Sequence, residues 1–201
     1  MEKGRLEAFS DGVIAIIITI MVLELRPPTE PTLEALRPVV PVFLSYVLSF
    51  VFVAIYWNNH HHLMQAADRV TGRVLWANMH LLFWLSLVPF VTHWMGGAFA
   101  PVPVAAYGVV MLLAGCAYYL LTRALIAEHG PHSSLATSVG RDSKGIASVV
   151  LYAAAVPLAF VEPRVACGLY VVVAVMWLIP DRRIESTIAH RDPAESSEPP
   201  S

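Results

Sequence analysis

The longest run without a charged side chain is the feature that most limits what this chain can fold into. Residues 74–122 contain no Asp, Glu, Lys or Arg, whereas soluble domains average about 25% charged residues. The whole chain is 57% apolar and 14% charged, with a mean hydropathy of +0.62. We therefore predict an all-α membrane protein, because a helix satisfies its own backbone hydrogen bonds inside a bilayer.

Charged residues and turn-forming residues divide the chain into six predicted transmembrane helices. Gly96-Gly97, Pro101 and Pro103 split the long uncharged run in two, because glycine and proline favour turns. The helices are predicted near residues 6–25, 39–64, 74–95, 104–127, 145–161 and 165–180. They form one transmembrane domain, residues 1–185. The tail, residues 186–201, is polar and rich in Pro and Ser, which predicts disorder.

The distribution of Lys and Arg predicts the orientation of these helices. Ten of the 13 basic residues lie at one set of helix ends, and Arg26, Arg37 and Arg164 lie at the other. Positive charge stays on the cytoplasmic side of a membrane protein. Both termini are therefore predicted to be cytoplasmic, in agreement with an even number of spans.

The first predicted helix carries carboxylates unusually close together. Asp11 and Glu24 bracket 12 uncharged residues, which cover about 18 Å at 1.5 Å per residue, against a hydrocarbon core of about 30 Å. Because a carboxylate near the bilayer interior is costly, we expect this helix to stand inside a bundle. Its charged ends would then face protein or water.

Four residues of this helix share one stripe, at spacings i, i+3, i+4 and i+7: Ile16, Thr19, Ile20 and Leu23. The spacing fits either packed core or the lining of a conduit. One six-helix subunit is too thin to enclose a conduit with one such stripe. A pore would therefore need several copies around a common axis.

The same helix carries a recognisable motif, Arg5-x-x-x-Phe9-Ser10-Asp11, followed by the residues GVIAI. It resembles the signature of the transmembrane protein 175 family of potassium channels, in its bacterial single-repeat branch. Three further matches extend the resemblance over nearly the whole chain, namely Trp57 with His60 and His61, the Pro89-Phe90 step, and residues 179–185.

The resemblance implies a homotetramer with the first helix of each subunit lining a central pore. Ile16 would then form the narrowest hydrophobic ring, with Ile20 and Leu23 on successive rings and Thr19 in a hydroxyl layer that favours potassium. The motif residues Arg5, Phe9, Ser10 and Asp11 would be the scaffold that holds the cytoplasmic end of this helix. The expected function is passive, K⁺-selective conduction across the bacterial plasma membrane, with K⁺ as the permeant ion and no cofactor. The expected partners are further copies of the chain and the lipid bilayer.

Selectivity in such a pore would need a source other than a carbonyl cage. The sequence has no TVGYG filter, and the nearest fragment, residues 137–140, lies in a polar loop. We therefore expect constriction and partial dehydration of the ion beside a hydroxyl ring to favour K⁺ over Na⁺.

Three successive histidines, His60, His61 and His62, allow two interpretations. A metal site is one, but neighbours on a helix point about 100° apart and cannot all face one ion. The favoured interpretation is a polar network that joins the cytoplasmic ends of the first three helices, since buried polar groups need partners. Its expected members are Trp57, His60, His61, Asn78 and His80. We also expect Arg5 or a histidine to pair with Asp11, within one subunit or between two.

The sequence alone also allows two other functions. A cation-coupled or proton-coupled secondary transporter would use Asp11 or Glu24 as its ion site, but the chain has no inverted repeat. A membrane-embedded metal hydrolase would use the histidine cluster, but no nucleophile elbow or phosphate-binding loop occurs. We do not expect the protein to be an enzyme.

Net charge and cysteine content limit the function further. The net charge of −2 argues against a nucleic-acid partner. Cys116 and Cys167 are expected to be small apolar side chains within spans.

Overall fold

All regular structure in the described part of the chain is helical, and the predicted all-α class is confirmed. The computed structural model describes residues 2–67, 69–130 and 143–179. The predicted tail, residues 186–201, lies outside this part. Residues 180–185 of the segment that resembles the family, and the fragment 137–140, also lie outside it. The helices are α1 (Lys3–Leu23), a 3₁₀ segment (Glu34–Val39), α2 (Val40–Gln65), α3 (Gly72–Ser86), α4 (Val88–Gly97), α5 (Pro101–His129), α6 (Ser143–Leu158) and α7 (Pro163–Leu178).

Four helical segments are long and apolar enough to cross a membrane, judged by length and composition. They are Lys3–Leu23, Glu34–Gln65, Gly72–Gly97 and Pro101–His129. The remaining two, α6 and α7, are apolar and have 16 residues each. At 1.5 Å per residue they span about 24 Å, so they would cross a bilayer only with help from their flanking residues.

The third predicted span is interrupted in the structure. α3 ends at Ser86 and α4 begins at Val88, with Leu87 in a turn between them. Pro89 follows, and because proline has no N–H, the carbonyl of Leu85 loses its helical partner. The proline that the sequence places inside a span thus divides that span into two helices.

The helices form one bundle whose two sides differ. α1 packs against α2, α3 and α4, whereas α6 packs against α5 and α7. α5 also packs against α3 and α4, and α7 touches α2. The interior on the side of α6 and α7 contains a cluster of fully or almost fully buried aromatic rings, Phe52, Tyr107, Tyr152 and Tyr170. α1 therefore belongs to one side of the subunit and α6 to the other.

Two glycines allow unusually close helix contacts. A Cβ built on Gly96 would lie 2.7 Å from the Cα of Val42, on the backbone of α2. A Cβ on Gly108 would collide with the hydroxyl of Tyr170, which donates to the carbonyl of Val104 at 3.0 Å. Small residues at such positions are typical of packed membrane helices, because they let backbones approach closely.

Candidate functional site

α1 has one buried face and one exposed face. The buried face carries Leu6, Ser10, Ile14, Ile17 and Met21 and rests on the neighbouring helices. The candidate pore residues lie on the other face: Ile16 is 58% exposed, Ile20 42% and Leu23 79%, and Thr19 is also exposed. The stripe is therefore not core of a single subunit.

The hydroxyl of Thr19 has a fixed direction. Its Oγ1 donates a hydrogen bond to the carbonyl of Ile16 at 2.8 Å. Threonine commonly forms this bond within a helix. Because the hydroxyl hydrogen is engaged, the oxygen presents its lone pairs to whatever lies on the exposed face. An oxygen in this state can accept from water or contact a cation.

A buried chain of hydrogen bonds joins the first three helices at the end where α1 begins. Nε2 of His60 on α2 donates to Oδ1 of Asn78 on α3 at 2.7 Å, and Nδ2 of Asn78 donates to Oγ of Ser10 on α1 at 2.9 Å. Ser10 in turn donates to the carbonyl of Leu6 at 2.8 Å. All three polar side chains are buried. This chain fixes the register of α1 on α2 and α3.

Replacing Asn78 by leucine is expected to destabilise the subunit by about 1–3 kcal/mol, because two buried polar partners, His60 and Ser10, lose their bonds. Thermal unfolding of the purified protein in detergent measures the effect. Asn58→Leu is the matched control, since Asn58 is exposed on α2 and should change the midpoint little. Equal thermal unfolding midpoints for the two variants would contradict a structural role for this chain of hydrogen bonds.

A second set of hydrogen-bonded polar side chains lies beside the set formed by His60, Asn78 and Ser10, nearer the surface. Nε1 of Trp57 donates to Oδ1 of Asp11 at 2.9 Å. The indole stacks on the ring of His61, with centroids 5.7 Å apart and planes 17° apart, and the amide of Gln65 bonds Nε2 of His61 at 2.9 Å. The motif carboxylate is thereby held by α2.

Other predicted members of the site lie apart from these two groups. His80 accepts from Nε1 of Trp84 at 2.9 Å on the exposed side of α3 and does not join the chain through Asn78. Phe9 is half exposed and Arg5 is exposed. Within the described part of one subunit, neither Arg5 nor a histidine forms an ion pair with Asp11. An Arg5–Asp11 pair between subunits therefore remains a proposal.

The opposite end of α1 carries a contact that sequence reasoning missed. Oε2 of Glu24, the residue that caps α1, lies 3.4 Å from Nδ1 of His93 on α4. Both side chains are about half exposed. No sequence spacing links these two residues, because they are 69 positions apart and meet only through helix packing. The pair places a carboxylate directly beyond Leu23.

Two of the three successive histidines have hydrogen-bond partners within the bundle. Among the described residues, no three His, Cys, Asp or Glu side chains are grouped so that they could hold an ion. His60 is bonded to Asn78, and His61 to Gln65. The arrangement is that of a hydrogen-bonded helix junction with an exposed apolar stripe on α1.

Comparisons with known proteins agree on one family. Residues 5–89 match the family model described as "Endosomal/lysosomal potassium channel TMEM175". A Chryseobacterium protein named as a potassium channel is 49% identical over 189 residues, 94% of this chain and 98% of that protein. A chicken protein named as an endosomal/lysosomal proton channel TMEM175 is 35% identical over 83 residues, 35% of this chain but 17% of that protein.

A solved structure agrees with the same family. The crystal structure of a lysosomal potassium-selective channel TMEM175 homologue from Chamaesiphon minutus superposes with a TM-score of 0.75 at 27% identity, covering 88% of this chain and 96% of that one. The motif, the helical architecture and the nearly full-length match to the Chryseobacterium relative together show that this chain is a multi-pass membrane protein and belongs to the transmembrane protein 175 family.

Proposed function

We propose that this protein is a K⁺-selective channel of the bacterial plasma membrane, a homotetramer whose pore is lined by α1 of each subunit. The single observation that carries the proposal is the exposed stripe Ile16, Thr19, Ile20 and Leu23. The nearly full-length relative named as a potassium channel supports the choice of ion.

A central position for α1 is favoured by the charges at the ends of its apolar run. A stripe facing lipid would bring Asp11 and Glu24, only 13 residues apart, close to the hydrocarbon core, at considerable cost. Four copies around an axis would instead expose one end to cytoplasm and the other to the outside. The count of basic residues supports a cytoplasmic position for the Asp11 end.

Conduction through this stripe would depend on how readily an ion loses water. Rings of Ile16, Ile20 and Leu23 side chains are apolar and resist wetting when the pore is narrow. K⁺ holds its hydration shell less tightly than Na⁺, so a dehydrating constriction favours K⁺. Thr19 is exposed and donates its hydroxyl hydrogen to the carbonyl of Ile16, so its oxygen keeps lone pairs that would replace part of the lost hydration.

Replacing Thr19 by valine is expected to lower the K⁺/Na⁺ permeability ratio by about threefold to tenfold. One lost oxygen contact per subunit would remove about 0.6–1.4 kcal/mol of discrimination. Thr19→Ser is the control, because it keeps the hydroxyl. Reversal potentials in planar bilayers give the ratio. A valine variant as selective as the serine variant would remove Thr19 from the selectivity mechanism.

The experiment that tests the function itself is cation flux into liposomes that contain the purified protein. We expect K⁺ uptake to exceed Na⁺ uptake and single-channel steps to appear in bilayers. A secondary transporter would instead show no unitary steps, and its uptake would require a coupled ion gradient. Flux carried by protons, with no K⁺ current, would also contradict the proposal.

A further inference from the structure

A groove of about 380 Å³ lies between α2, α5 and α6, on the side of the bundle where α6 and α7 pack. Its walls are almost entirely apolar and aromatic. Phe52 and Tyr56 come from α2, Gly115 and Tyr119 from α5, and Val150 and Tyr152 from α6. Tyr119 is 47% exposed and Val150 60%, so the groove opens laterally.

The position of the groove follows from the helix packing. α1 contacts α2, α3 and α4, while the groove is built on α2, α5 and α6. The inference rests on the proposed function at this step: if α1 faces a central axis, the groove faces away from it, toward lipid.

One end of the groove carries positive charge. Arg123 follows Tyr119 and Leu120 by one turn of α5, so it lies on the same face, just beyond the lining. Its side chain is exposed, and among the described residues no carboxylate is within salt-bridge distance of it. Lys144 precedes the lining residue Gly145 and donates to the carbonyl of Ile179 at 2.8 Å, which holds it at this end.

An apolar slot with basic residues at one end matches one class of molecule in a bilayer. We propose that the groove binds an acyl chain of an anionic phospholipid, with the phosphate beside Arg123 and Lys144. Guanidinium and ammonium groups are the usual protein partners of phosphate, and basic residues at the cytoplasmic surface attract anionic lipids. A zwitterionic lipid would gain less from these two charges, because its headgroup also carries a positive charge.

Native mass spectrometry tests the proposal on full-length protein equilibrated with equal amounts of phosphatidylglycerol and phosphatidylcholine. We expect retained phosphatidylglycerol to exceed phosphatidylcholine, and Arg123→Gln to reduce that preference about fivefold, as one basic residue near an anionic surface would. Gly115→Phe should displace the acyl chain of the lipid, because the phenyl ring would fill the groove that Gly115 lines. Gly115→Ala is the matched control, because an added Cβ there has no neighbour closer than 3.7 Å.

Equal retention of the two lipids by the unchanged protein would overturn the proposal, as would unchanged preference in Arg123→Gln. A Gly115→Phe variant that alters the oligomeric state but not lipid retention would show that a second copy occupies the groove. Should Gly115→Phe fail to fold, Arg123→Gln decides alone. Native mass spectrometry measures lipid retention and does not depend on ion flux. A negative result for lipid binding is therefore distinct from a negative result for the channel function.

Discussion

An Ile16→Asn variant is expected to conduct at least about ten times more than the unchanged protein and to discriminate less between K⁺ and Na⁺. Ile16 is exposed on the subunit and would form an apolar ring with its three copies. A tenfold change needs a barrier only about 1.4 kcal/mol lower, and four amides can hydrogen-bond water where four isoleucines cannot. An ion would then keep more of its hydration shell, which removes the penalty that separates Na⁺ from K⁺.

Val22→Asn is the matched control for this experiment. Val22 is also exposed on α1, at 46%, but it lies six positions after Ile16, so the two side chains point about 120° apart. The control should keep the original conductance and selectivity. Planar bilayer recordings measure both. An Ile16→Asn channel with unchanged K⁺/Na⁺ permeability, or a Val22→Asn channel that leaks equally, would contradict the assignment of the pore face.

A Gly96→Ala variant is expected to lose about 1–3 kcal/mol of stability and to yield much less folded protein. The added methyl group would lie 2.7 Å from the Cα of Val42 and 3.2 Å from the side chain of Ser45. A backbone atom cannot rotate away, so α4 would have to separate from α2. The same movement would disturb the bond that Thr92 donates to Ser49 at 2.7 Å between these helices.

The neighbouring residue supplies the control. A Cβ on Gly97 meets nothing within 4 Å, so Gly97→Ala changes the same residue type in the same turn without a clash. Thermal unfolding in detergent should place Gly96→Ala about 2–12 °C below Gly97→Ala. Identical midpoints would mean that the close approach of α4 and α2 contributes nothing to stability.

The helices themselves were predictable because charge and proline are visible in the sequence. The uncharged runs give the helical segments, and Pro89 accounts for the break at Leu87. The face of α1 that packs inward could not be read in the same way. Ile14 and Ile17 are as apolar as Ile16 and Ile20, so periodicity alone does not choose between them. Family resemblance made that choice.

Contacts between distant helices were the least predictable part of the site. The bond from Trp57 to Asp11 joins residues 46 positions apart, and its geometry depends on how α1 and α2 cross. The sequence also suggested His80 for the network of Asn78. Instead, Trp84, one turn along α3, provides a local partner for His80. Side-chain pairing of this kind follows from packing and is not encoded in spacing.

Modification of an engineered cysteine tests most directly whether α1 lines a shared pore. Leu23→Cys and Val22→Cys are made after the native Cys116 and Cys167 are replaced by serine. A bulky cationic thiol reagent is then added on the Glu24 side during K⁺ recording. We predict that the reagent blocks the Leu23→Cys current and leaves the Val22→Cys current unchanged. A Leu23→Cys current that persists after complete labelling would contradict a central position for α1.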